Sequence, residues 1–182
     1  MSIATRPLTY EDLLNTPDDG NRYEIIGGEL VVSPAPTPKH QRIAARLFRL
    51  IDRYVQESGA GEIFFAPLDV RFHPHDIVEP DLLFVRRDRL AIIEEKLIEG
   101  APDLVVEVLS PSTRGRDQVR KMALYATAGV PEYWIADPDN ADLSIYTLDH
   151  GQYQRQEPSG GSVRSKVIPE LVVDIARLFE AV

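Results

Sequence analysis

The stretch Asp103-Leu-Val-Val-Glu-Val-Leu109 carries a single carboxylate in the middle of an apolar run, and Ser110-Pro-Ser-Thr113 follows it. Without the glutamate, residues 104–109 are a short β-branched segment of the kind that fills the core of a sheet. An unpaired, ionised carboxylate buried there would cost several kcal/mol. Glu107 must therefore sit at the open end of the strand, against a cation, or in its neutral form. The run stops at Ser110-Pro-Ser-Thr113 and a basic helical segment follows, so the carboxylate faces a strand-to-helix opening.

Downstream, the pattern predicts a helix over residues 115–128, stopped by Gly129, and a strand over 132–136 that ends at Asp137-Pro138. Residues 143–148 and 152–156, joined across Asp149-His-Gly151, read as a hairpin, and a terminal helix over 173–180 closes the chain. Upstream, Thr9 is the N-cap of a short helix over 10–15, with Glu11 and Asp12 in its first turn. Residues 23–26 and 29–33 flank Gly27-Gly28, a two-residue hairpin signal. Pro34, Pro36 and Pro38 make a stiff connector into a long helix over 38–58, whose inward stripe reads Ala44, Leu47, Leu50, Ile51 and Tyr54. Strands over 62–65, 68–72 and 81–85 follow, with a turn at His73-Pro-His-Asp76, and residues 86–100 form a charged connection with some helical character. Helices and strands alternating around one mixed sheet give an α/β (mixed α+β) class: a central mixed sheet flanked by helices, with additional β-hairpins, in a single domain over 1–182.

Of the 182 residues, 43% are hydrophobic and 27% charged, which supports a buried core under an ordinary water-facing surface. No run approaches the roughly 18 apolar residues of a membrane helix. Met1-Ser-Ile-Ala-Thr-Arg-Pro7 has no apolar segment of a secretory signal, so a cytoplasmic location and no membrane partner are expected. The absence of cysteine excludes disulfides and thiolate metal sites. A formal charge of −9 argues against holding polyanions through the global field, while leaving room for a locally basic groove.

Asp81 follows Pro80 in Val78-Glu-Pro-Asp-Leu-Leu-Phe-Val85, at the beginning of a strand. Two carboxylates from neighbouring strands, Asp81 and Glu107, can converge on a hard divalent cation, which prefers oxygen ligands. The alternatives are a turn-capping aspartate and a glutamate salt-bridged at a sheet end. At this pair the chain resembles the PD-(D/E)xK nuclease superfamily. Over about residues 8–178 it is similar to the Uma-two type restriction endonuclease family. The resemblance is carried by Tyr23-Glu-Ile-Ile-Gly-Gly-Glu-Leu30, Glu79-Pro-Asp81 and Pro102-Asp-Leu-Val-Val-Glu-Val-Leu-Ser-Pro-Ser-Thr113. It continues in Asp117-x-x-x-Lys121-x-x-x-Tyr125 and Gly129-Val-Pro-Glu-Tyr-Trp-Ile135. It implies a restriction-endonuclease-like core and a Mg²⁺-dependent cut of phosphodiester bonds in DNA, with Mn²⁺ able to substitute. It also implies Asp81, Glu107 and the Val108 carbonyl as metal ligands. Glu24 matches an acidic position of the family and is a third metal-site carboxylate; otherwise it is an exposed strand residue facing Arg22 or a lysine.

One position departs from the superfamily. Its lysine falls two residues after the second acid, on the same face of the strand, and here that place holds Leu109. Leucine can neither polarise a water nor stabilise a pentacovalent phosphate. The family-type answer is a lysine from the following helix, and Lys121 matches it. The helical wheel pulls the other way: Val119, Met122, Ala123 and Ala126 form the obvious apolar face, leaving Lys121 roughly opposite, a solvated lysine paired with Asp117. Asp117 and Gln118 are auxiliary candidates, Gln118 for orienting water. His40, one turn before Ala44, would contact phosphate or carry a proton, or else serve as a buried hydrogen-bonder.

Arg42, Arg46, Arg49 and Arg53, or Arg114 and Arg116 through Arg120 and Lys121, would hold a DNA backbone; the same stripe also suits a solvated helix face. A homodimer is expected because two sites cut two strands more simply than one. Two other functions compete with the endonuclease: a module that kept the fold and lost turnover, favoured by Leu109 and the acidic balance, and a metal-dependent phosphoesterase on a smaller substrate, favoured if the pocket is too narrow for a duplex. His73-Pro-His75-Asp76 is better read as a polar hairpin turn than as a zinc site. Ser110, Ser112 and Thr113 read as helix caps, and Trp134 as core.

Overall fold

The computed structural model describes residues 6–110, 115–168 and 170–180, and only the backbone of Arg116 and Asp117. In chain order the first half holds α1 (Tyr10–Leu13), β1 (Arg22–Ile26), β2 (Glu29–Ser33), α2 (Pro38–Ser58), β3 (Gly61–Phe65), β4 (Asp69–His73), β5 (Asp76–Val78) and β6 (Leu82–Arg86). A 3₁₀ turn (Arg87–Ile92) leads to β7 (Leu97–Glu99), β8 (Leu104–Val108), α3 (Arg116–Ala128), β9 (Glu132–Asp137), β10 (Asp142–Asp149) and β11 (Gln152–Arg155). The chain ends with β12 (Ser162–Arg164), β13 (Val172–Asp174) and α4 (Ile175–Phe179).

The expected central mixed sheet is a six-stranded one, ordered β11-β10-β9-β8-β6-β3. Only β8 and β9 are parallel, and α3 is the crossover that a parallel pair requires. The strands upstream do not simply decorate this sheet. They build a second one, ordered β2-β1-β5-β4-β7, so the single sheet read from the sequence is two, with β12 and β13 pairing separately. The short strands β5, β7, β12 and β13 escaped the sequence reading because three-residue segments carry too little period-2 signal. Residues 173 and 174, expected in the terminal helix, belong to β13 for the same reason, and that helix begins at Ile175.

Alternation along the six-stranded sheet divides the core. Leu82, Phe84, Leu104, Val106 and Val108 face α2, meeting Ile43, Leu47, Ile51 and Val55. That stripe is rotated from the one expected: Ala44, Leu50 and Tyr54 are only partly buried beside it. Leu83, Val85, Val105, Tyr133 and Ile135 face the other way, against Tyr125 of α3 and Ile26, Val70 and Val78 of the second sheet. With both faces covered, β8 is buried throughout, as its apolar composition requires. The Gly27-Gly28 turn closes β1 onto β2 with both residues at positive φ, the geometry of the hairpin turns that glycine favours. Among the described residues no helix is long and apolar enough to cross a membrane.

Candidate active site

β6 and β8 run antiparallel with Leu82 opposite Val106 and Leu83 opposite Val105. Carrying that register one residue further sets position 81 opposite position 107. The pleat turns Glu107 toward α3, while Asp81, just before β6, reaches Arg22 of β1 and His40 at the start of α2. Asp81 and Glu107 line one cavity of about 50 Å³ with Arg22, Glu24, His40, Gln118 and Lys121. The backbone ties the acids together as well: the Val108 N–H donates to Asp81 Oδ2 at 2.7 Å.

Asp81 also accepts from Arg22 Nη2 at 2.9 Å and from His40 Nε2 at 3.0 Å. Burial pushes its carboxyl up, but His40, Arg22 and the Val108 N–H more than offset this and hold it at about 2. His40 is delivered by the first turn of α2, where the Thr37 hydroxyl accepts from the His40 backbone N–H at 3.3 Å. Because a carboxylate only accepts, Nε2 carries the hydrogen. The other ring nitrogen, Nδ1, is buried and has no hydrogen-bond partner among the described residues.

Glu107 Oε1 lies 2.9 Å from Lys121 Nζ and accepts from the Tyr125 hydroxyl at 2.6 Å. Lys121 also reaches Glu24 Oε1 at 2.8 Å, and the same oxygen accepts from the Glu79 backbone N–H at 2.8 Å. Arg22 completes the ring, with Nε 2.8 Å from Glu79 Oε1. Burial alone would pull the Lys121 ammonium down; Glu107 and Glu24 together raise it above its ordinary value, so it stays charged. Glu107 goes the other way. Burial drives its carboxyl up, Lys121 pulls it back, and the charges of Asp81 and Glu24 leave the net direction upward. Glu79 is likewise raised, by burial first and by its acidic neighbours, against Arg22.

Among the described residues no group of three or more His, Cys, Asp or Glu side chains is gathered as a cation cage. The donor chemistry nonetheless fits a hard divalent ion. Glu24, Asp81 and Glu107 supply only oxygen, all three are buried, and they line the same cavity. Each glutamate uses Oε1 for Lys121, and no bond to Oε2 is formed among the described residues.

The family model described as "Putative restriction endonuclease", Uma2, matches residues 9–176. The chain belongs to the Uma2 family. A solved structure described as a "putative nuclease belonging to DUF820", from Anabaena variabilis, shares the fold of this Uma2 chain. Its TM-score is 0.77 at 24% sequence identity, over 95% of this chain and 98% of that one. No curated protein matches.

In this Uma2 chain Lys121 is buried, only 9% exposed, while Val119, expected on the apolar face, is 69% exposed. The helical wheel failed because α3 turns a polar pair inward: Lys121 and Tyr125, one turn apart, both end on Glu107. Gln118 lines the cavity, as does Leu109, which also packs against the core beside α3. Glu24 is buried rather than exposed. Arg114 and the side chains of Arg116 and Asp117 lie outside the described residues, as do Ser112 and Thr113. Arg120 donates to the Ile26 carbonyl and pairs with Glu29 at 3.0 Å, which docks α3 on the first hairpin. On α2, Arg42 and Arg49 are exposed, whereas Arg46 donates to the carbonyls of Leu178 and Glu180 at 2.7 and 2.8 Å and so secures the C-terminal helix. His75 Nδ1–H donates to the Leu8 carbonyl at 2.8 Å from the turn between β4 and β5. Trp134 is core and donates to the fully buried Glu132 at 2.6 Å.

Two contributors were not picked out as site residues, Arg22 and Glu79, while Tyr125 entered only as a member of the stripe Asp117, Lys121 and Tyr125 that could face the cleft. Arg22 was legible from its place two residues before Glu24, on the same face of one strand. Glu79 sits in Glu79-Pro-Asp81, and Tyr125 lies four residues after Lys121.

Proposed function

We propose that this chain is a divalent-metal-dependent DNA endonuclease that hydrolyses phosphodiester bonds. One observation carries the reading: Lys121 stands 2.9 Å from Glu107 and 2.8 Å from Glu24, so the cation missing at Leu109 is supplied to the same carboxylates from α3. Asp81 and Glu107 would hold Mg²⁺ or Mn²⁺, with the Val108 carbonyl and Glu24 completing the oxygen set. When bound, the ion neutralises charge on the scissile phosphate and makes water a stronger nucleophile. Lys121 keeps its proton and supplies a fixed positive charge beside the phosphate. Tyr125 holds Glu107 Oε1, which orients the carboxylate, and Arg22 with His40 does the same for Asp81. Gln118 lines the same cavity and would orient a water.

The test is incubation of purified protein with supercoiled, linear and single-stranded DNA and with RNA, in Mg²⁺ or Mn²⁺, beside Asp81→Ala and Glu107→Ala. Cutting by the wild type alone supports the reading. If no substrate is cut, or the variants cut equally well, it fails.

A second reading has its own observation. Asp81, Glu24 and Glu107 are each already paired with cations of the chain itself, which is how a nuclease fold without turnover would remain stable. Calorimetry separates the two. Mg²⁺ or Mn²⁺ binding that disappears in Glu107→Gln supports the enzyme, and no carboxylate-dependent heat supports the inert module.

A further inference from the structure

Beside the cavity lies a wider groove of about 420 Å³. Its walls are Ala44, Ala45 and Phe48 of α2 with Phe65 and Ala66 at the end of β3. Its inner end is formed by Arg22, His40 and Asp81, the same side chains that line the cavity of the candidate site. Phe65 is 61% exposed, and its ring meets Phe48 edge-on, with centroids 5.1 Å apart and planes at 84°. A lone exposed aromatic is ordinary. An aromatic pair fixed in a concave apolar groove that runs into a cluster of acids is a built surface. At the groove's outer side stands Arg49, whose Nε donates to the Ala45 carbonyl of its own helix and which has no carboxylate partner among the described residues. Arg49 also borders the next depression along α2, where Arg53 and Arg177 lie. Acids, aromatic rings and arginines thus follow one another along one helix.

We propose that the groove is a nucleobase subsite: an unpaired base next to the phosphate being cut lies against Phe65 and Phe48, and the strand continues past Arg49 toward Arg53 and Arg177. This rests on the nuclease reading and narrows its substrate to single-stranded or locally unpaired nucleic acid. A base inside a duplex has both faces stacked and offers none to a phenylalanine. Apolar walls suit a ring face and have little to give a sugar–phosphate rail. A formal charge of −9 works against holding two strands through the global field, whereas a short row of arginines suffices for one. Because every base has a π-face, such a groove selects an unpaired strand rather than a sequence.

Fluorescence anisotropy with short labelled oligonucleotides tests this, using single-stranded DNA, single-stranded RNA and duplex DNA, each with Ca²⁺ and with EDTA. The proteins are wild type, Phe65→Ala and Phe65→Trp. Single strands should bind more tightly than duplex. Phe65→Ala should weaken single-strand binding roughly tenfold, the effect of losing one base–aromatic stack, while its melting curve stays that of the wild type. Phe65→Trp should restore binding, and an oligonucleotide made abasic throughout should bind wild type and Phe65→Ala alike. The DNA and RNA arms show which strand the groove prefers, and either preference supports the subsite. An affinity for single strands that Phe65→Ala leaves unchanged overturns it, as does a Phe65→Ala variant whose only change is a lost dimer in sedimentation, which would make the groove a contact for a second copy. If DNA is still cut in those cases, the subsite falls and the nuclease reading stands. If wild type neither binds nor cuts any oligonucleotide, both fall.

Discussion

Replacing Lys121 with methionine isolates the charge at the heart of the site. The thioether chain fills nearly the same space as the lysine stem, so the cavity wall that Lys121 shares with Leu109 stays filled. What disappears is the ammonium shared by Glu107 and Glu24. Breaking a buried pair by removing one partner costs about 3–5 kcal/mol. The lower end applies, because Glu107 keeps the Tyr125 hydroxyl and Glu24 keeps the Glu79 N–H. In a chain of this size each kcal/mol moves the melting temperature by about 2–4 °C, so a loss of about 3 kcal/mol lowers it by about 6–12 °C. The effect carries a pH signature. Glu107 is already raised by burial, and without Lys121 it rises further. A raised carboxyl contributes stability that is present below its unfolded value, about 4.3, and lost as pH rises through the folded value. The deficit of Lys121→Met against wild type should therefore be smallest near pH 4 and grow toward pH 8. Urea melts across that range measure it. A deficit that is flat with pH, or below about 1 kcal/mol at pH 8, would refute the claim that Lys121 neutralises the two glutamates.

Two arginines on one helix should separate cleanly. Arg46→Ala loses the bonds to Leu178 and Glu180 and should destabilise the fold by about 1–3 kcal/mol in urea melts. Arg49→Ala should leave stability within about 0.5 kcal/mol and instead weaken oligonucleotide binding, with a salt slope shallower by about one unit. Glu132→Ala should cost at least about 3 kcal/mol, since one buried carboxylate accepts from Trp134, Ser165, Lys166 and Val167; hydrogen exchange should quicken at residues 165–168 before elsewhere. Asp81 sits at about 2, below its unfolded value, so its contribution is present at neutral pH and lost as pH falls from about 4 through 2. Asp81→Asn should flatten that acid limb in thermal melts. Saturating Mg²⁺ or Mn²⁺ should raise the wild-type melting temperature, and the rise should vanish in Glu107→Gln.

The long elements were readable because their signals are long. The helix over 38–58 is bounded by Thr37 and Gly59, and the hairpin glycines fixed β1 on β2. The second sheet was hidden because its partners are remote in sequence: β1 joins β5 through a single paired position, and β7 pairs in parallel with β4. The acids of the site stood out because a carboxylate in an apolar strand is costly, and the antiparallel register turns that anomaly into a pair. The role of Lys121 was not legible from periodicity, since a wheel counts apolar faces and α3 buries a polar one. Hydropathy is equally blind to Arg46, whose partners are backbone carbonyls that no side-chain pattern announces.

A lysine two residues along the strand would be fixed to its glutamate by the pleat, and nothing short of melting the sheet would part them. Here the ammonium rides on a separate body. Its position is set by how α3 is seated, through Tyr125 in the core and Arg120 clipped to the Ile26 carbonyl and Glu29. The site is therefore built like a lever arm: a small slide or roll of that one helix would carry the positive charge toward or away from the acids while β6 and β8 stayed in register. A substitution at the far end of that lever, such as at Glu29 on the first hairpin, would act on the acids by geometry alone.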